Sequence, residues 1–219
     1  MPPFHPTLRD LPAEIPIFPL SGALLLPEGR LTLNIFEPRY LALVEDALGA
    51  GRLFGMVQGD PSLPKVAGDS QMYRVGCLGR ISSFSETEDG RLLITLTGVI
   101  RYRLVEEVAG RRGYRRARAE YADYAADLAV GAPPPELDRE ALLGALRPYF
   151  RARGIEANWE AVEQTADAML VTTLCMVCPF EVREKQALLE AQGTEDRARM
   201  LIALMEMDSH GMVPEGRPS

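Results

Sequence analysis

The chain has 219 residues, 47% of them hydrophobic and 25% charged, with a net charge of -7. That is ordinary for a soluble globular protein with volume for a real core, as one large domain or two small ones. The acid excess speaks against nonspecific nucleic-acid binding, no apolar run is long enough for a bilayer, and residues 1–10 lack the apolar core of a signal peptide.

The expected location is therefore the cytoplasm, and three cysteines, an odd count, fit reduced thiols better than a disulfide framework. Residues 1–10 carry three prolines and read as a loose lead-in. Ile15-Pro16-Ile17-Phe18-Pro19-Leu20 has the apolar bulk of a strand, but two prolines remove ladder donors and predict an edge or crossing strand. Leu31-Thr32-Leu33-Asn34-Ile35-Phe36 alternates as a strand with one buried face does. A helix follows: Pro38 suits its first position, Glu37 lies at the positive end of its dipole, and Tyr40, Leu41, Val44, Ala47 and Leu48 recur at helical spacing until Gly49 and Gly51.

Leu53 to Gln58 reads as a buried strand, and Gly59 to Ser70 as a loop. Tyr73 to Ser85 and Arg91 to Val105 form a hairpin across Glu86-Thr87-Glu88-Asp89-Gly90, where Asp-Gly is a strong turn signal. Leu92, Ile94, Leu96, Ile100, Tyr102 and Leu104 share one parity and therefore one face, with Gly98 where so long a strand must bend. Gly113 to Tyr124 supplies a further strand. The stiff Gly131-Ala132-Pro133-Pro134-Pro135 connector then leads to helices. Asp138 caps the first, which Pro148 should kink, and Asn158 caps a second with Trp159, Val162, Ala166, Met169, Leu170, Thr173 and Val177 along one side. Helices over Phe180 to Ala191 and Thr194 to Met207 complete the bundle. The expected organisation is a β domain over 11–125, a helical bundle over 136–208, and loose ends at 1–10 and 209–219.

As an ordered set, I-P-I-F-P-L at Ile15, L-N-I-F-E-P-R-Y from Leu33 to Tyr40, G-R-I-S-S-F from Gly79, L-T-G-V from Leu96, and C-P-F-E with K-Q-A-L-L-E from Cys178 to Glu190 resemble the N-terminal, substrate-binding domain of Lon proteases. The chain looks most similar to stand-alone bacterial proteins carrying that domain alone. The resemblance implies an α+β fold, a curved antiparallel PUA-like barrel with an inserted helix followed by a small helical bundle. It also implies a binding role toward unfolded polypeptide segments or a specific protein partner, a protease among the candidates. The role expected from the resemblance is that of an adaptor or regulator in protein quality control. Lys65 and Lys185 are the only lysines and lie in no glycine-rich phosphate loop, so the ATPase signature is missing. No motif matches the serine–lysine peptidase pair either, and the chain is expected not to be an enzyme.

Candidate chemistry is sparse. Cys175-Met176-Val177-Cys178 falls at a helix C-terminus, where the dipole disfavours thiolate, so packed core cysteines are favoured over redox use. Cys77 is distant and His5 and His210 fall near the ends, so neither a metal site nor a cofactor is expected. The peptide-binding candidates are Phe18, Leu20, Phe36, Glu37, Arg39 and Tyr40, with Arg39 expected to pair with Glu37. Arg101, Arg103, Arg115, Arg116 and Arg118 form an alternative anion or nucleic-acid patch, with Arg101 and Arg103 expected on the face opposite Ile100 and Tyr102, although a charged outer face that protects a sheet edge is the preferred reading. They keep an RNA-binding PUA-like reading as the alternative.

Overall fold

The alternating segments form six strands: β1 (Glu14–Pro19), β2 (Arg30–Ile35), β3 (Leu53–Val57), β4 (Val75–Glu86), β5 (Leu92–Arg111) and β6 (Tyr114–Glu120). The computed structural model describes residues 6–66, 70–129 and 136–211, with side chains to 209. The proline-rich connector over 131–135 lies outside the described residues, as do His5 and the end beyond 211.

The sheet order is β2-β5-β4-β3-β1-β6, and β6 pairs again with β5. Five strands thus close a barrel, and β2 flanks it. One strand performs the closure: β5 pairs with β2 through Leu92–Thr97 and with β6 from Arg103 onward, while β4 runs along its other side. The Asp89-Gly90 hairpin forms as its sequence directs, with Gly90 at φ 77°.

β1 is not an edge strand. It lies between β6 and β3, but its two neighbours hold different halves: Glu14–Ile17 pairs with β6, and Ile17–Pro19 with β3. Pro16 and Pro19 each fall in a half paired on one side only, where a missing N–H need cost no ladder bond. The β1–β3 pair is parallel, unlike the other pairings. A parallel pair needs a crossover, and α1 (Pro38–Gly49) lies within it. Pro38 stands at the helix start and Glu37 at the N-cap, with Tyr40, Ala42, Leu43, Val44 and Ala47 buried.

The shared face of β5 serves two cores. Ile94 and Leu96 pack with α1 and the helices, whereas Ile100, Tyr102 and Leu104 fill the barrel with Ile15, Ile17 and Leu78. The division falls at Gly98, where the β4–β5 register shifts. A Cβ on Gly98 would stand 1.9 Å from the Leu26 carbonyl oxygen, because the β1–β2 connection crosses the strand there. Glu28 N–H donates to Gly98 O, and Gly98 N–H to Gly29 O, both at 2.9 Å. The bend thus also admits another stretch of backbone.

After the 3-10 segment Ala122–Leu128 come α2 (Arg139–Arg153), α3 (Trp159–Gln164), α4 (Asp167–Val177), α5 (Val182–Glu190) and α6 (Thr194–Gly211). Asp138 and Asn158 cap as expected, accepting from Ala141 N–H at 2.9 Å and Ala161 N–H at 3.1 Å. The single helix expected from Asn158 is two, α3 and α4, with Thr165 and Ala166 in extended conformation between them. Two ordered pieces fall in the expected loose ends. Leu8–Asp10 forms a 3-10 turn closed by Thr7 N–H and Oγ1 on Asp10, and α6 continues to Gly211, with Asp208 ion-paired to Arg153.

The helices dock on the barrel through a polar seam. Arg101, only 4% exposed, meets the Asp127 carboxylate with Nε at 2.9 Å and an Nη at 2.8 Å, and donates to Leu189 O and Ala191 O at the end of α5. A cation suits the helix C-terminus, and burial of the guanidinium is outweighed by the hydrogen bond and charge of Asp127, which raise its pKa. Nearby, Gln58 Nε2 donates to Gln186 Oε1 at 3.1 Å, Gln186 Nε2 donates to Val75 O at 3.1 Å, and Lys185 Nζ donates to Gly22 O at 2.8 Å.

Candidate functional site

The six residues singled out for peptide binding line one pocket. Phe18 on β1 and Tyr40 in the first turn of α1 stack at a centroid distance of 4.0 Å and form its buried floor. Leu20, Phe36, Glu37 and Arg39 border it, with Leu33, Asn34 and Ile35 of β2 along one wall, around about 280 Å³. Phe36 is 61% exposed, while Phe18 and Tyr40 are nearly covered. The two settings separate: Phe18 and Tyr40 are core that shapes the pocket, and Phe36 is the exposed ring at its border. Arg39 pairs with Glu37 at 2.9 Å and stands 4.6 Å over the Tyr40 ring. The cation in the first turn is thus balanced by the N-cap carboxylate.

A larger groove of about 880 Å³ opens between α4 and the β2–β5–β4 face. Sequence periodicity missed it. Met169, Thr173 and Val177, assigned to the packed side of their helix, turn outward to wall the groove, and Met169 and Val177 are 50% and 64% exposed. Leu170, Val171, Thr172, Leu174 and Cys175 are the buried set. Opposite the helix, Arg30, Thr97 and Arg80 lie side by side on three adjacent strands. The groove has the size of sites that enclose small ligands, ~300–1,000 Å³. The available signal was that the Met169–Thr173–Val177 series is one of two apolar faces on a helix nearly apolar all round.

The five arginines of the alternative patch are divided between the interior and the surface. Arg101 is buried in the seam, because the 3-10 segment and α5 cover the outer face of β5 there. Arg103 pairs with Asp123, Arg115 with Glu107, Arg116 with Glu14 and Arg118 with Glu106. The basic strands are therefore a ladder of exposed ion pairs, each guanidinium answered by a carboxylate.

All three cysteines are buried and free. Burial pushes the Cys175 and Cys178 thiols up to about 12, which keeps them protonated and unreactive at neutral pH. Among the described residues no group of three or more His, Cys, Asp or Glu could hold a metal ion, and no helix is long and apolar enough to cross a membrane.

Barrel, inserted helix and docked bundle define the class: an α+β domain with a curved, closed sheet and concave apolar surfaces at both ends of one flanking strand. The family model described as the ATP-dependent protease La (LON) substrate-binding domain matches residues 14–207, and the chain belongs to that family. It is 30% identical over 207 residues to Lon protease 1 of Thermus thermophilus, covering 89% of this chain and 25% of that protein. It is likewise 30% identical over 217 residues to Lon protease 2 of Sorangium cellulosum, covering 94% and 26%. The chain thus spans about a quarter of the length of these relatives. Among solved structures, the Lon N-terminal domain protein from Xanthomonas campestris matches with a TM-score of 0.60 at 24% identity, covering 87% of this chain and 97% of that one. The N-terminal domain of the Mycobacterium avium complex Lon protease matches at 0.56 and 14% identity, covering 88% and 97%. These two likenesses support the fold.

Proposed function

We propose that the chain is a non-catalytic receptor for unfolded polypeptide segments or a specific protein partner, acting in the cytoplasm as an adaptor or regulator of a separate protease. Membership of the substrate-binding family supports a recognition module, and the observation that carries the mechanism is the position of β2. That strand pairs only with β5, and its outer edge has no strand partner among the described residues. It runs from Arg30, in the large groove, to Ile35, at the small pocket. Six residues span about 20 Å, enough for an extended peptide to add a strand while its alternate side chains enter the two concavities.

Titration of the full chain with a permanently unfolded, carboxymethylated protein tests this reading. Binding at tens of micromolar or tighter, weakened several-fold by Phe36→Ala, supports it. Absence of binding in that range removes it. The RNA alternative has less support, since the arginines it needs already face carboxylates. It requires an affinity that falls steeply with salt and is lost when Arg115, Arg116 and Arg118 are replaced.

A further inference from the structure

We propose that β2 is also the surface by which the chain recognises a second copy of itself: two molecules pair their β2 edges antiparallel about a two-fold axis, and each hides the edge the other would offer to a client. This adds a regulation to the receptor reading above and rests on it. The edge is undefended. Sheet edges in soluble proteins are ordinarily protected by proline, lysine, a bulge or a covering segment. β2 has neither proline nor lysine, and its six residues run against β5 without a register shift, unlike the β4–β5 and β5–β6 ladders. Every other strand pairs on both sides, so β2 is where the sheet can still grow.

Register shows why a second copy fits. Gly98 N–H donates to Gly29 O, so by strand alternation the main-chain groups of Leu31, Leu33 and Ile35 turn to β5 and those of Arg30, Thr32 and Asn34 turn outward. Two copies therefore bond through even-numbered residues, and a two-fold axis normal to the sheet keeps each face with its like. Two registers overlap the strands almost completely. With Thr32 opposite its own counterpart, Arg30 meets the partner's Asn34, and Glu28 meets the partner's Phe36. With Leu33 opposite its counterpart, Leu31 meets the partner's Ile35, Thr32 the partner's Asn34, and Arg30 the partner's Phe36. The second register sets apolar against apolar, polar against polar, and a guanidinium against an aromatic ring. Arg30 and Phe36 are both exposed, so both are available for that contact. Six residues a side make an interface at the low end for protein pairs, under about 1,200 Å², and each copy carries a net charge of -7. The pairing is therefore reversible, which lets a client compete for the same edge.

Sedimentation velocity of the full chain tests the pairing, and a monomer–dimer equilibrium with a dissociation constant of about 10–100 µM is expected. Thr32→Pro deletes an outward N–H and no bond to β5. It should raise that constant about tenfold or more and leave the thermal melt in place. Register is read by disulfide capture under mild oxidation, since the three native cysteines are buried. A mixture of Thr32→Cys and Asn34→Cys chains should cross-link several-fold faster than either variant alone. A chain that stays monomeric to about 500 µM, a dimer indifferent to Thr32→Pro, or fastest capture by Thr32→Cys alone each overturns the proposal. Adding the carboxymethylated protein should convert dimer to client-bound monomer, and client bound to an intact dimer overturns the masking. The receptor reading is scored separately: a monomeric chain that binds the unfolded protein keeps the receptor and removes the pairing, whereas a dimer of the stated register that binds no unfolded protein keeps the interface and removes the receptor.

Discussion

The barrel and the helices face each other at two places that differ in chemistry. Around Arg101 the contact is closed, polar and fully partnered, with Asp127 and the carbonyl oxygens of α5 enclosing one guanidinium. Around Met169 and Val177 the same two layers stand apart, and apolar side chains are left facing solvent. The helices are held on the barrel by these hydrogen bonds together with the apolar core that Ile94 and Leu96 share with them, and the open apolar wall of α4 lies outside both. The residues that hold the two layers together are therefore different from those exposed on the open wall.

Four substitutions sharpen that contrast. Asp127→Ala strands a buried guanidinium and is expected to lower stability by about 3–5 kcal/mol, measured by urea denaturation. A loss below about 1 kcal/mol would mean that the seam does not hold the layers together. Gln186→Leu removes the side-chain donor to Val75 O and leaves Gln58 Nε2 with Val182 O alone inside the same seam, and should cost about 1–3 kcal/mol. Arg115→Gln removes a half-exposed pair with Glu107 outside both regions, and should cost no more than about 1 kcal/mol. Met169→Gln, on the open side, should change stability by no more than about 0.5 kcal/mol while weakening peptide binding. If its stability cost matched that of Gln186→Leu, the groove would be part of the packed core and the contrast would fail.

Much of the fold was legible wherever a residue's role is local. Pro38 at a helix start, Asp138 and Asn158 at caps, and Asp89-Gly90 at a hairpin act through their own backbone, so the sequence announces them. The small pocket was legible for a related reason, since Phe18, Phe36 and Tyr40 flank one strand–helix junction. What stayed hidden depends on distant segments. Parity placed Arg101 on the outer face of β5, but only the arrival of the 3-10 segment and α5 makes that face an interior. On α4, apolar residues occur nearly all round, and periodicity offers no means to decide which side is packed. The prolines of β1 pointed to an edge or a crossing strand, and the sequence does not show that two half-length neighbours share it.

The crossing at Gly98 has a consequence for the order in which the polypeptide acquires its shape. The stretch from Leu26 to Gly29 is locked by main-chain hydrogen bonds to a strand that leaves the ribosome much later. The connection between β1 and β2 therefore cannot set until β5 is present, and closing a long loop of this kind is slow compared with forming a hairpin. During synthesis the N-terminal strands wait unlatched, and the glycine that finally admits them acts as the keyhole of the barrel.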